Sequence, residues 1–308
     1  MKKIILFIIF TSLCIPFSLS SADASLVSDK NYRSQQYKDY RQETKKIKEL
    51  FKVHNAFANK HDLSSLKTLY TDNYVDNDGF NKTVYFKSIE ETWKECKNIT
   101  YSTKILSIKM DGDYASVNVE ETATGTIMDL LELEPIAGEI HSKSTGIYYL
   151  TKVNDKWMIS GENSLTDESS LLYGDARFMN IEIQAPNQVA AGDSYTATVK
   201  IDANENTFII GSIDRDPVTF PSGSPNSKLR AIPQSQTLER IFKSNTDNLN
   251  EYTIASLAIS KVNNANSNTK IYMAGLACVM KRINVVPKNN FIQLEQESEG
   301  NENENVNM

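Results

Sequence analysis

Tyr70–Lys82, YTDNYVDNDGFNK, sets three aspartates, three asparagines and a glycine into thirteen positions between apolar stretches. Three kinds of chemistry could use such a run: a calcium loop, a pair of catalytic carboxylates, or a plain polar exit from a helix. An EF-hand loop needs oxygen ligands at positions 1, 3 and 5, glycine at 6 and a bidentate glutamate at 12. With Gly79 at position 6, Tyr74 falls at 1 and Tyr85 at 12, so the strongest ligands are missing and no metal site is expected. Catalytic carboxylates need burial to raise their pKa, and so hydrophilic a run predicts solvation instead. The helix-exit reading is preferred, because Asn, Asp and Gly adopt turn and left-handed conformations readily.

His54 has a different setting. It shares the apolar stripe of Ile47, Leu50, Phe51, Phe57 and Ala58, spaced as on one face of a helix. A neutral imidazole there could serve as a base or hold a ligand. The competing reading, a histidine hydrogen-bonded inside a packed core, is preferred from sequence. His61 reads as exposed at a helix junction, and alternation leaves the direction of His141 open. No GxSxG, HExxH, CxxC, P-loop or dinucleotide fingerprint occurs, which leaves the common hydrolase, protease and nucleotide routes without support and implies no cofactor.

The elements that would position these residues come in two blocks. Helical periodicity runs from Gln36 to Lys60. A second, shorter helix is predicted from an Asp62 N-cap to about Tyr74, and a third from a Ser88/Glu91 capping box through Trp93 and Cys96. After Asn98 the period changes to 2. Two hairpins are expected, turning at Asp111-Gly112 and Asn154-Asp155. Leu165–Ala176 reads as a polar joint. Beyond it, short strands separated by Pro, Gly, Asn and Asp predict a β-sandwich, and the stretch Gly275–Met280, apolar on both faces, predicts a central strand. Asp214–Gln236 carries four prolines and no alternation, the mark of a functional loop or a disordered one.

The passage HDLSSLKTLYTDNYVDNDG, the strand GDYASVNVEET and the hairpin GIYYLTKVNDKWMISGENS with its Trp157 resemble the nuclear transport factor 2-like superfamily, which includes SnoaL-like proteins and ketosteroid isomerases. The resemblance covers about Thr44 to Asp167. It implies three helices packed on a curved antiparallel sheet that forms a cone with a pocket, and it is silent on activity. The pocket-lining candidates under it are His54, Phe57, Tyr70, Trp93 and Tyr148. Isomerase-like chemistry would require an acidic base on a strand and a tyrosine to hold an enolate. Glu120 or Glu121 with Tyr70 or Tyr74 could be cast so, although nothing in their spacing recommends them over solvent exposure. The second block resembles bacterial immunoglobulin-like domains loosely, without their Cys…Trp…Cys spacing.

The fold class expected is therefore an α+β cone-shaped N-terminal domain plus an all-β sandwich C-terminal domain. The expected divisions are a signal peptide (1–24), a flexible segment (25–35), the α+β domain (36–167), a linker (168–177), the sandwich (178–287) and an acidic, Asn-rich disordered tail (288–308). The opening MKKIILFIIFTSLCIPFSLSSADAS has the charged start, short apolar core and small-x-small site of a secretory leader. A bulky Leu13 before Cys14 argues against a lipoprotein anchor. Losing residues 1–24, with Lys2, Lys3 and Asp23, takes the formal charge from −6 to −7. A net acidic chain with no basic run excludes nucleic acid and anionic membrane surfaces as expected partners. No segment reaches the ~20 apolar residues of a membrane span. Cys96 and Cys278 read as buried free thiols.

The function expected is that of an exported, periplasmic or extracellular two-domain protein acting as a non-catalytic binding or interaction module. It would take a small apolar or amphipathic ligand in the cone. A protein partner would dock on the 214–236 loop through Arg215, Phe220 and Arg230, and a homodimer through the open sheet face is compatible with the family. The rival is a small-molecule enzyme using the cone pocket, in which His54, Tyr70 and one acidic strand residue converge. Cleavage after Ala24 predicts that protein recovered from the cell envelope or medium begins at Ser25. N-terminal sequencing that finds Met1 there would refute the leader.

Overall fold

The computed structural model describes residues 22–131, 134–203, 207–221, 228–233, 236–265 and 268–288. Residues 1–21 of the expected signal peptide and 289–308 of the expected tail lie outside these. The chain divides into two compact units, 1–46 and 47–308; the first contributes the leading part of the first helix, and all packing described below belongs to the second.

Helix α1 (Ala22–Asn59) begins well before the expected Gln36, so the backbone of 25–35 is helical rather than an irregular segment. Its Gln, Lys, Arg, Glu and Ala residues carry little helix penalty, and propagation from a formed turn is inexpensive. Helix α2 (Leu63–Lys67) is one turn, capped by the Asp62 carboxylate, which accepts from the Ser65 amide at 3.0 Å. It does not run on to Tyr74. The β-branched and aromatic residues of Tyr70–Asp76 instead form strand β1, and Asp76, Asn77 and Gly79 (φ +81°) turn the chain into α3 (Lys82–Glu95). The side chain of Asn81 accepts from the Val84 amide and caps α3, about two turns ahead of the expected Ser88. The opening run is thus not the helix exit expected. It is a strand followed by an N-cap turn.

Strands β2 (Thr100–Asp111), β3 (Tyr114–Leu131), β4 (Glu134–Val153) and β5 (Lys156–Gly174) form the two hairpins expected, with positive φ at Gly112, Asn154 and Asp155. After a 3-10 turn at Asp175–Phe178 come β6 (Ile181–Gln184), β7 (Gln188–Ala190), β8 (Ser194–Ile201), β9 (Thr207–Pro217), β10 (Arg230–Ala231), β11 (Thr237–Lys243), β12 (Glu251–Ala265) and β13 (Asn268–Val286). One ten-stranded sheet holds most of them, in the order β10-β9-β12-β13-β5-β4-β3-β2, with β1 also paired to β5 and β7 to β13. A second sheet is β11-β8-β6.

This topology corrects the expected fold class. The chain is mostly β, and three helices packed on their own sheet beside an independent sandwich is not what forms. The reason is the length of β5. It pairs with β4 along nearly its whole length; on its other side its first part pairs with β1, and its last residues, Glu168 to Gly174, pair with Lys281 to Gly275 of β13. Residues 168–174, read as linker because they are polar, are therefore sheet, and a single set of ladders crosses the boundary drawn at 167/178. The C-terminal half is two-layered, but one layer is an extension of the N-terminal half's sheet.

Two apolar cores result. The first gathers Ile47 and Phe51 of α1, Tyr70 and Tyr74 of β1, Phe86 and Trp93 of α3, and inward residues of β3 to β5 such as Val117, Leu150 and Ile159. The second lies between β11-β8-β6 and the β9-β12-β13 part of the large sheet, with Val199, Ile213, Leu257 and Ile283 fully inside.

Asp78, expected to be solvated, joins the halves. Its side chain is 9 % exposed and receives a bidentate pair of hydrogen bonds from Arg282 of β13, 2.9 and 2.6 Å, whose own side chain is 2 % exposed. Arg282 Nε donates to Asn284 at 2.9 Å, and Asn250 donates to Asp78 at 2.8 Å. Breaking one member of such a pair leaves the other charge buried alone. Arg282→Ala should cost about 3–5 kcal/mol by urea unfolding; a loss below about 1 kcal/mol would show that the pair does not hold the halves together.

Candidate functional site

The first core is not filled. Between α1, α3 and the sheet lies a cavity of about 190 Å³ whose walls include the rings of Tyr85, Trp93, Tyr101 and Tyr148 and the polar ends of His54, Glu121 and Glu162. Local rules explain how each arrives there. His54 lies one turn beyond Phe51 on the buried stripe of α1. Glu121 follows Val117 and Val119 at every second position of β3, so all three point to the same side, while Glu120 points away and pairs with Lys143 at 3.2 Å.

Glu162 needs a device. Strict alternation from the buried Trp157 and Ile159 would send it to the opposite face. The β4–β5 register slips between Tyr149↔Gly161 and Leu150↔Ile159, leaving Ser160 as an extra residue. A bulge of this kind reverses the parity beyond it, so Glu162 pairs with Tyr148 and enters the cavity beside it. Gly161 is suited to the site because β1 runs against it: a Cβ would sit 2.9 Å from the Val75 carbonyl oxygen.

The polar groups form two linked sets. His54 is 8 % exposed, and its Nε2 lies 2.8 Å from the Tyr70 hydroxyl. Its Nδ1 meets no partner in hydrogen-bonding geometry, although the neighbouring Asn55 side chain lies near enough to the ring to exert a weak hydrogen-bonding influence. Burial lowers the imidazole pKa to about 4, against a smaller raising influence of the Asn55 side chain, so the ring is neutral at physiological pH. Glu121 accepts from Thr103 Oγ1 at 2.8 Å and from Tyr148 Oη at 3.2 and 3.3 Å. Burial nevertheless pushes its carboxyl upward. Glu162 accepts longer bonds, 3.4 Å each, from the hydroxyls of Tyr74 and Tyr85. Burial, and then the negative charges of Glu121 and Asp76, raise it to about 8. Burial also raises the pKa of Tyr70, Tyr85 and Tyr148, which stay neutral phenols and can only donate or accept hydrogen bonds. Burial thus pushes both carboxyls upward, and the negative charge of Glu121 adds to the rise at Glu162.

Trp93 Nε1 donates to the Tyr101 hydroxyl at 3.0 Å, and His61 stacks on the Trp93 ring at 4.6 Å with an interplanar angle of 10°. These contacts fix one wall and correct the reading of His61 as an exposed junction residue; its Nε2 also lies 3.1 Å from the Ile99 carbonyl oxygen.

Of the predicted lining residues, His54, Trp93 and Tyr148 border the cavity. Tyr70 stands behind His54, fully buried, and Phe57 packs against the core rather than the cavity. Glu162 was missed because a bulge hides it from alternation, whereas the parity of Glu121 with Val117 and Val119 was a usable signal. Among the loop candidates, Arg215 lies on β9 and is engaged internally, 2.7 Å from the buried Glu251. Arg230 donates to the Glu239 carbonyl at 2.7 Å, and the ring of Phe220 lies under Lys87 Nζ at 5.4 Å. Cys96 and Cys278 are free thiols. Among the described residues no group of three or more His, Cys, Asp or Glu is placed to hold a metal ion.

No protein-family model matches the chain, and no curated protein does. Among solved structures it is similar to a protein assigned as a scytalone dehydratase from Novosphingobium aromaticivorans, with 14 % identity and a TM-score of 0.35 over 41 % of this chain and 84 % of that one. It is similar also to a type 2 hexachlorocyclohexane dehydrochlorinase, at 12 % identity and TM-score 0.35 over 41 % and 86 %. The Kfla4162 protein from Kribbella flavida gives 12 % and 0.35 over 41 % and 90 %. At these scores nothing about activity passes to this chain, and they lend no support to an immunoglobulin-like second half.

The two shifted groups act on stability in opposite pH ranges. The unfolded chain binds the His54 proton near pH 6.5 and the folded one only near 4, so stability falls as pH drops through that window. Glu162 ionises near 4.5 unfolded and near 8 folded, so its contribution is full at low pH and is lost as pH rises to about 8. Between pH 6.5 and 8 only the second effect of this pair operates. Urea midpoints should decline over that range in the native protein and flatten in Glu162→Gln; an unchanged decline in the variant would mean that Glu162 is not the buried acid.

Proposed function

We propose that the cavity is the site of a small-molecule enzyme that works by proton transfer, of isomerase or lyase type. The observation that carries this reading is the placement of two carboxyls, both pushed upward by burial, in one cavity with a neutral imidazole whose Nδ1 lacks a partner in hydrogen-bonding geometry. A packed structural core would bury such groups only with their hydrogen bonds complete. Acid–base catalysis instead requires an acid and a base with pKa values displaced toward the working pH and separated by environment. Glu162 supplies the proton-bearing group, Glu121 the carboxylate, and His54 a second acceptor or donor according to which of its nitrogens carries the hydrogen. Tyr148 and Thr103 orient Glu121, and Tyr70 orients His54.

Export by the N-terminal leader stays part of the proposal on composition alone. The non-catalytic binding module is the second reading. The cavity and its aromatic walls favour it equally, but it gives no reason to retain two carboxyls at the cost of burying them.

Proton transfer to and from carbon can be detected before the substrate is named. The protein incubated with a small-molecule extract in D2O should place deuterium into one compound or a small set of related ones, followed by mass spectrometry. Glu121→Gln and Glu162→Gln should each slow this by roughly 10²–10⁴-fold, the usual contribution of a positioned acid or base. Absence of any incorporation or conversion by the native protein would leave the binding reading in its place.

A further inference from the structure

We infer that the ligand of this cavity is a small organic cation, a primary or secondary ammonium carried on an apolar body, and that its arrival frees the second carboxyl to act as a base. The inference rests on the cavity being a small-molecule site, as proposed above, and adds the class of molecule. Three observations carry it. Glu121 and Glu162 both face the space, yet no lysine or arginine borders it among the described residues. His54, the remaining basic group of the lining, is neutral, and its Nδ1 lacks a partner in hydrogen-bonding geometry although the side chain is almost wholly buried. The walls are aromatic on several sides, Tyr85, Trp93, Tyr101 and Tyr148, with Trp93 and Tyr101 locked to one another by a hydrogen bond.

A negative charge held among rings without a counter-ion is costly, and an ion of opposite sign placed against it removes that cost. Aromatic faces add their own attraction for a cation within about 6 Å. An ammonium N–H also has a waiting acceptor in His54 Nδ1, provided that Nε2 donates to the Tyr70 hydroxyl. Anionic ligands find the reverse of every one of these features. The groups facing the carboxyl pair are His54 from α1, Tyr70, Tyr74 and Asp76 from β1, Tyr85 from α3 and Tyr148 from β4, of which Asp76 alone brings further negative charge. With the cation seated, its positive charge favours ionisation of the second carboxyl, whose proton leaves to buffer; the site then holds two carboxylates against one ammonium, and Glu162 can accept a proton from the bound molecule.

The test uses three ring-matched probes at pH 7 with the native protein: benzylammonium, benzyl alcohol and benzoate. Benzylammonium should bind at least roughly tenfold tighter than benzyl alcohol, and benzoate more weakly than either. Titration calorimetry in two buffers of different ionisation enthalpy should show proton release with benzylammonium alone. Glu121→Gln and Glu162→Gln should each abolish most of the preference. If a variant fails to fold, the native protein still decides: benzylammonium affinity should fall as pH is lowered from 8 to 5.5, while that of benzyl alcohol stays flat. Benzyl alcohol binding as tightly as benzylammonium, or a preference without proton release, overturns the cation assignment and leaves the small-molecule site standing. Failure of all three probes to bind would remove both.

Discussion

Strand β5 is the constraint on which the rest of the molecule depends. Its nineteen residues begin with Trp157 and Ile159 in the first core, pass through a one-residue bulge at Ser160, carry Glu162 into the cavity and end in a ladder with β13. A shorter strand would end at the first core and free the C-terminal half. Without the bulge, Glu162 would face away from Tyr148, and the cavity would hold one carboxyl rather than two. Register errors in strands exchange whole faces, so a bulge at a fixed place is as specific a positioning device as a conserved hydrogen bond.

The same strand explains why the halves do not behave as beads on a linker. Tyr252 of β12 donates to Asp167 of β5 at 2.6 Å, close to where Arg282 clamps Asp78. The turn that delivers Asp78 is the one that starts α3, the helix supplying Tyr85 and Trp93 to the cavity. Changes in the second core therefore reach the site through a short, charged path. Asp76 completes the turn by accepting from the amides of Asp78 and Phe80 at 2.9 and 2.8 Å, which accounts for the density of Asp and Asn there without any metal.

The cavity reads as a site because its polar groups are incompletely matched. Glu251 in the second core shows the contrast: it is 1 % exposed, but Arg215, Tyr195 and Asn245 all bond to it, and its burial is structural. Glu121 and Glu162 have hydroxyl donors only, and neither has a cation. Neutral donors soften the burial of a carboxylate without cancelling its charge, which is why both carboxyls are pushed upward.

Much of this was legible from residue order. Both hairpins and their turns follow from period-2 alternation broken by Asp-Gly and Asn-Asp, and the place of His54 on a buried stripe follows from 3.6-residue spacing. The parity of Glu121 with Val117 and Val119 was equally readable, since alternation is a property of one strand alone. What required the folded chain were features set by partners distant in sequence. Tyr70–Asp76 becomes a strand because β5 offers it a parallel edge. The polar stretch 168–174 becomes sheet because β13 pairs with it, and Asp78 is buried because Arg282, some two hundred residues later, reaches it. Local periodicity fixes which face a residue takes within its own element; pairing, slippage of register and the partner of a buried charge are decided between elements, where no short window of sequence carries the information.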